Sequence, residues 1–78
     1  MWNRKTLIER GSRYYVVDTA RIPDGFGGTY ETMIFPADKN GKVTKWDELY
    51  MERYTSERAA ETGHDRVVRE VDKHLPQP

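Results

Sequence analysis

Leu49, Met51 and Arg53 alternate with Glu48, Tyr50, Glu52 and Tyr54 as the two faces of a strand do. After Thr55 and Ser56 the apolar residues recur at helical spacing instead. Ala60, His64, Val67, Val68, Val71 and Leu75 then share one face, which predicts a helix from near Ser56 to Leu75, stopped by Pro76. Thr55 or Ser56 supplies a capping oxygen, and Glu57 sits in the first turn, where the helix dipole favours negative charge. Asp65 with Arg69 and Arg66 with Glu70 are spaced for pairs along the helix surface.

Upstream, Arg13 to Ile22 is rich in β-branched and aromatic residues and predicts a strand, as does Thr29 to Phe35, which Pro36 should end because proline has no N–H for a ladder. Thr6 to Glu9 is a shorter strand candidate, joined to the next by a turn at Arg10-Gly11-Ser12. Asp38-Lys39-Asn40-Gly41 carries an Asn-Gly pair suited to a hairpin loop. The apolar stripe of the helix needs a partner, and the sheet is the candidate. The expected fold class is therefore α+β: an antiparallel sheet of three to four strands with one C-terminal helix packed on one face. Residues 1–78 make one small domain, with Pro76-Gln77-Pro78 as a frayed tail. The pattern leaves open the strand order and which face the helix covers.

A chain of 78 residues buries roughly 60% of the surface its unfolded form exposes, so a cleft with its own supporting shell is hard to house. There are no cysteines to form disulfides or bind zinc. The two histidines, His64 and His74, do not match a usual metal-ligand spacing. No cofactor or metal is expected. No apolar run reaches the roughly 20 residues of a membrane span, and the N-terminus has no apolar signal block, which predicts a soluble cytoplasmic protein without a membrane partner. Thirteen basic and thirteen acidic residues cancel, which argues against a polyanion binder held by bulk charge. Arg10, Arg13, Tyr14 and Tyr15 do have the basic and aromatic character of single-strand nucleic-acid platforms. Arginines guarding an edge strand explain them more simply, so direct nucleic-acid binding is not expected.

Three further constellations bear on chemistry. The segment Asp24 to Gly28, DGFGG, has the glycines of a phosphate cradle but precedes a strand and lacks a following Lys-Ser/Thr pair, so an inter-strand loop is the simpler reading. Phe26 at its tip either folds over the core or meets a partner. His64, with Glu52 or Glu61 to orient it, has the makings of a general base, yet it lies on the apolar stripe beside Gly63, where a ring or strand can approach closely. A packed, hydrogen-bonded histidine is the expectation, and no catalytic residue is assigned. Glu31, Glu48 and Glu52 form either a carboxylate cluster or the solvated face of a sheet with Arg53 or Lys45 nearby. The second reading also places Tyr50 and Trp46 there. Carboxylates among large aromatics suit a protein-binding patch, so the expected partner contacts are Trp46, Asp47, Glu48, Tyr50, Glu52 and Phe26.

At YETMIF (Tyr30 to Phe35), ERYTS (Glu52 to Ser56) and AETGH (Ala60 to His64) the chain resembles a set of small uncharacterised proteins encoded by bacteriophages and prophages. These carry a glycine-containing loop, an FETM-like strand, and an ERY-S/T strand end that runs into a helix with Gly-His. The likeness spans Asp18 to Val71. Tyr30 stands where phenylalanine is expected and Met51 where cysteine is common, which excludes a thiol role there. The resemblance implies a phage or mobile-element origin and no particular activity. Small accessory proteins of such elements often bind and inhibit a host defence complex stoichiometrically, as anti-CRISPR proteins do. The expectation is accordingly a non-enzymatic inhibitor whose partner is a host protein complex with a basic surface, with a homodimer left open. The alternative is a binder or sponge of a small nucleotide signal, using the glycine-rich loop and the N-terminal arginines.

Overall fold

The computed structural model describes residues 2–23 and 29–76. Four antiparallel strands, β1 (Asn3–Arg10), β2 (Arg13–Ile22), β3 (Thr29–Ala37) and β4 (Tyr50–Tyr54), lie in the sheet in chain order. One helix, α1 (Glu57–Arg69), and a single 3₁₀ turn, Val71–Lys73, then return across one face. This is the expected α+β arrangement.

β1 is longer than its apolar run because its polar residues also find partners. Asn3 Nδ2 donates to Asp18 Oδ1 at 2.8 Å, and Arg4 pairs with Asp65 of α1 at 2.9 Å. β3 runs through Pro36 to Ala37 rather than stopping before the proline. The Ile34 and Pro36 carbonyls both face the chain that leads to β4, accepting from the Leu49 and Thr44 amides. The missing N–H of Pro36 therefore falls where β4 no longer pairs, and costs no ladder bond. The next loop turns on Asp38, whose Oδ1 accepts from the Asn40 and Lys42 amides at 2.8 and 3.0 Å, while Gly41 takes a positive φ of 83°.

Register assigns every strand residue to a face. Thr6, Val17, Ile34 and Tyr50 form one row beneath the helix; Arg4, Thr19, Thr32 and Glu52 form the next. Val67 and Val71 are fully buried and join a core with Ile8, Tyr15, Val17 and Ile34, while Val68 and Leu75 pack at its margin. The apolar stripe read from the sequence is thus the buried one. Ser56 caps α1 by accepting from the Ala59 amide at 3.1 Å. The expected helix-surface pairs do not form. Asp65 turns to Arg4 and Arg66 to Glu52, because partners on the sheet lie within reach of both side chains.

Gly63 lets the Tyr54 ring lie against the helix backbone; a Cβ at this position would overlap the ring atoms Cε1 and Cζ and the hydroxyl oxygen. Gly63→Ala therefore sets a helix-propensity gain of about 1 kcal/mol against overpacking of about 1–3 kcal/mol. Tyr54 is buried, so the clash should prevail. Thermal melting should show a lower Tm for the variant; an equal or higher Tm would mean that the ring moves freely.

Candidate functional site

The two faces of the sheet differ in chemistry. Under the helix a polar seam crosses β1, β2 and β3. The His64 ring lies between two hydroxyls, with Nε2 2.8 Å from Thr6 Oγ1 and Nδ1 2.7 Å from Thr19 Oγ1, and Thr19 Oγ1 is 2.5 Å from Thr32 Oγ1. Burial, reinforced by the positive charge of Arg4, holds the imidazole below its usual pKa and therefore neutral near pH 7. A neutral imidazole has one donor and one acceptor, and hydroxyls on both sides can satisfy either tautomer. His64, Thr19 and Thr32 are fully buried, and Thr6 is partly buried. The seam serves to position the helix.

Beyond it, Arg66 donates to Glu52 at 2.6 Å and Tyr50 donates to the same carboxylate at 3.1 Å. The guanidinium bond lowers the Glu52 pKa from its ordinary value against the opposing effect of burial. Tyr50 stacks on His74, with ring centroids 3.8 Å apart. Burial raises the pKa of Tyr54, whose buried hydroxyl has no well-formed hydrogen bond among the described residues.

The opposite face carries Leu7, Val16, Phe35, Met33 and Met51 among Lys5, Asp18, Glu31 and Arg53. Thr44 and Leu49 are both anchored to β3 through their amides, which arches the intervening segment so that the Trp46 indole packs edge-on against Phe35 at 5.2 Å. Leu7, Trp46 and Met51, at 45%, 70% and 43% exposure, are the large exposed hydrophobics among the described residues, and all three belong to this face, opposite the helix.

The residues expected to form one acidic and aromatic surface are therefore divided. Trp46, Asp47 and Glu48 are exposed at the margin of the open face, while Tyr50 and Glu52 point the other way, under the helix. The alternation along β4 is as read, but its polar side is the covered one, because Arg66 neutralises Glu52 there. Glu31, Glu48 and Glu52 form no cluster: Glu31 pairs with Arg53 on the open face at 2.8 Å, and Glu48 stands in the loop. Phe26 and the rest of the glycine segment lie outside the described residues. Sequence reasoning missed Leu7 and Met51 as exposed residues, and the partly buried Met33 and buried Phe35 as their neighbours on the open face. The signal was available, since the runs Tyr14–Val17 and Met33–Phe35 are apolar on both strand faces and the sequence predicts one helix to cover them.

Two adjoining clefts of about 480 and 470 Å³ flank the β1–β2 turn and share Ser12, Arg13, Tyr15 and Pro76. Arg10 in the first is held by Asp72 at 2.7 Å, while Arg13 has no ion-pair partner among the described residues. Among those residues no group of three His, Cys, Asp or Glu side chains is placed to hold a metal ion, and no helix is long and apolar enough to cross a membrane.

No protein-family model matches the chain, and neither the curated proteins nor the solved structures contain a match.

Proposed function

We propose that the protein is a non-catalytic binding protein that engages a protein partner through the open face of its sheet, with Trp46 as its most exposed anchor and Asp47 and Glu48 at the rim. The observation that carries this reading is the gathering of Leu7, Trp46 and Met51 on the one face the helix leaves bare. Apolar side chains grouped on a bare face mark an interaction site, whereas scattered ones do not. A sheet face of about 30 by 15 Å offers a planar area on the order of 450 Å². That is short of the ~800 Å² per partner of a standard interface, so the adjoining Trp46–Glu48 loop must take part. The resemblance to phage-encoded proteins supports a host protein complex as the partner and stoichiometric occlusion of its working surface as the action.

The test uses protein recovered on the immobilised chain from a bacterial host lysate. Trp46→Ser and Met51→Lys should each weaken its binding by about 2 kcal/mol, roughly 30-fold in Kd, with Tm nearly unchanged. Undiminished binding by both would remove the open face from the account. A second reading, a nucleotide binder, draws on Arg13 and Tyr14 in the adjoining clefts. A nucleotide that raises Tm for the parent but not for Arg13→Glu would favour it.

A further inference from the structure

On the open face a groove of about 160 Å³ crosses β2 and β3 beneath the Trp46 indole. Pockets for nucleotides and other small molecules run to about 300–1,000 Å³, so this one is scaled to a single side chain. Its walls are apolar, from Ile22, Met33 and Phe35, and among the described residues its two charged lining residues are both carboxylates, Asp18 and Glu31. In the register Asp18 faces Met33 and Ala20 faces Glu31, which makes the carboxylates diagonal neighbours with Cβ atoms about 7–8 Å apart. A cation set between them reaches both.

Among the described residues, each carboxylate has one oxygen without a partner. Asn3 occupies Oδ1 of Asp18 and Arg53 occupies Oε2 of Glu31, whereas Asp18 Oδ2 and Glu31 Oε1 are bonded by no described residue. Glu31 is only 5% exposed, so its charge is screened by little water. Lys5, opposite Asp18, makes no ion pair with it among the described residues, and Lys5 with Arg53 at the two sides limits the groove to one incoming cation. Trp46 also lines the groove, and an indole offers an electron-rich surface on which a cation can stack.

We propose that this groove is the anchor site for an arginine side chain of the protein partner, its stem against Met33 and Phe35, its guanidinium between Asp18 and Glu31, and its plane on Trp46. Arginine fits better than lysine because a planar fork can meet two carboxylates and stack at once. The assignment rests on the open face being the partner surface, and it specifies what that partner inserts.

A displayed library of random 12-residue peptides, selected on the full chain, tests it. Selected peptides should share an arginine flanked by apolar residues, and Asp18→Asn and Glu31→Gln, each confirmed as folded by circular dichroism, should bind the best of them roughly tenfold more weakly. Arginine→norleucine in the peptide should cause a similar loss. Peptides without a basic residue whose binding is lost in Met51→Lys would overturn the arginine site while leaving the open face in place. Failure to select any peptide sensitive to Met51→Lys or Trp46→Ser would overturn both.

Discussion

Val71→Asp should abolish cooperative folding. Val71 is fully buried against the sheet at the foot of the helix, in the cluster with Ile8, Tyr15, Val17, Ile34 and Val67. No basic side chain belongs to that cluster, so the new carboxylate would either stay charged without a partner or take up a proton, and each costs several kcal/mol. Small domains have net stabilities of only about 5–15 kcal/mol, with chains of this size at the lower end. The variant should show no cooperative thermal transition, whereas Asp72→Ala next to it should lose only the exposed pair with Arg10. A parental melting curve for Val71→Asp would mean that the helix does not dock through this face.

His64→Leu should cost about 2–4 kcal/mol, because it takes Nε2 from the Thr6 hydroxyl and Nδ1 from the Thr19 hydroxyl. His64→Gln, which keeps hydrogen-bonding groups, should cost less. The imidazole also gives stability a pH dependence. Its pKa in the folded chain is lowered from the usual 6.5, so below that value the unfolded chain binds the proton more readily than the folded one. Stability from the neutral ring is complete above about pH 6.5 and falls as the pH drops, by at most about 1.4 kcal/mol per pH unit. Glu52 acts in the same direction lower down: its pKa is depressed from 4.5, so its pairing with Arg66 stabilises above that value and is lost on further acidification. Denaturant unfolding between pH 7.5 and pH 5 should therefore show a decline in the parent that His64→Gln flattens. Parallel profiles would place the titrating group elsewhere. If His64→Gln lost partner binding at unchanged Tm, the imidazole would have a role beyond holding the fold.

Much of the architecture was legible because it rests on local periodicity. The span of β2, a helix cap at Thr55 or Ser56, the apolar stripe through Val67 and Val71, and the close approach permitted by Gly63 all follow from spacing and residue chemistry. What spacing does not show is which side of a strand the rest of the chain will cover. The alternation in β4 separates Met51 and Arg53 from Tyr50 and Glu52 correctly, yet polarity alone suggests that the second pair faces water. Arg66, more than ten residues away along the chain, reverses that choice by reaching Glu52. The same long-range pairing takes Arg66 and Asp65 away from the helix-surface partners that their spacing offers. For Trp46, local sequence shows an aromatic in a polar loop; its seat on Phe35 depends on the amides of Thr44 and Leu49 tying both ends of that loop to β3.

The most direct measurement is cross-saturation from the unlabelled partner to the isotope-labelled chain, read at its amide and indole signals. Saturation centred on the Trp46 indole and on Leu7, Met33 and Met51, with the outer surface of α1 unaffected, is the predicted result. Saturation centred on the exposed helix residues Glu57, Glu61 and Asp65, or on Arg13 and Tyr14 at the clefts, would contradict the assignment of the open sheet face as the binding surface.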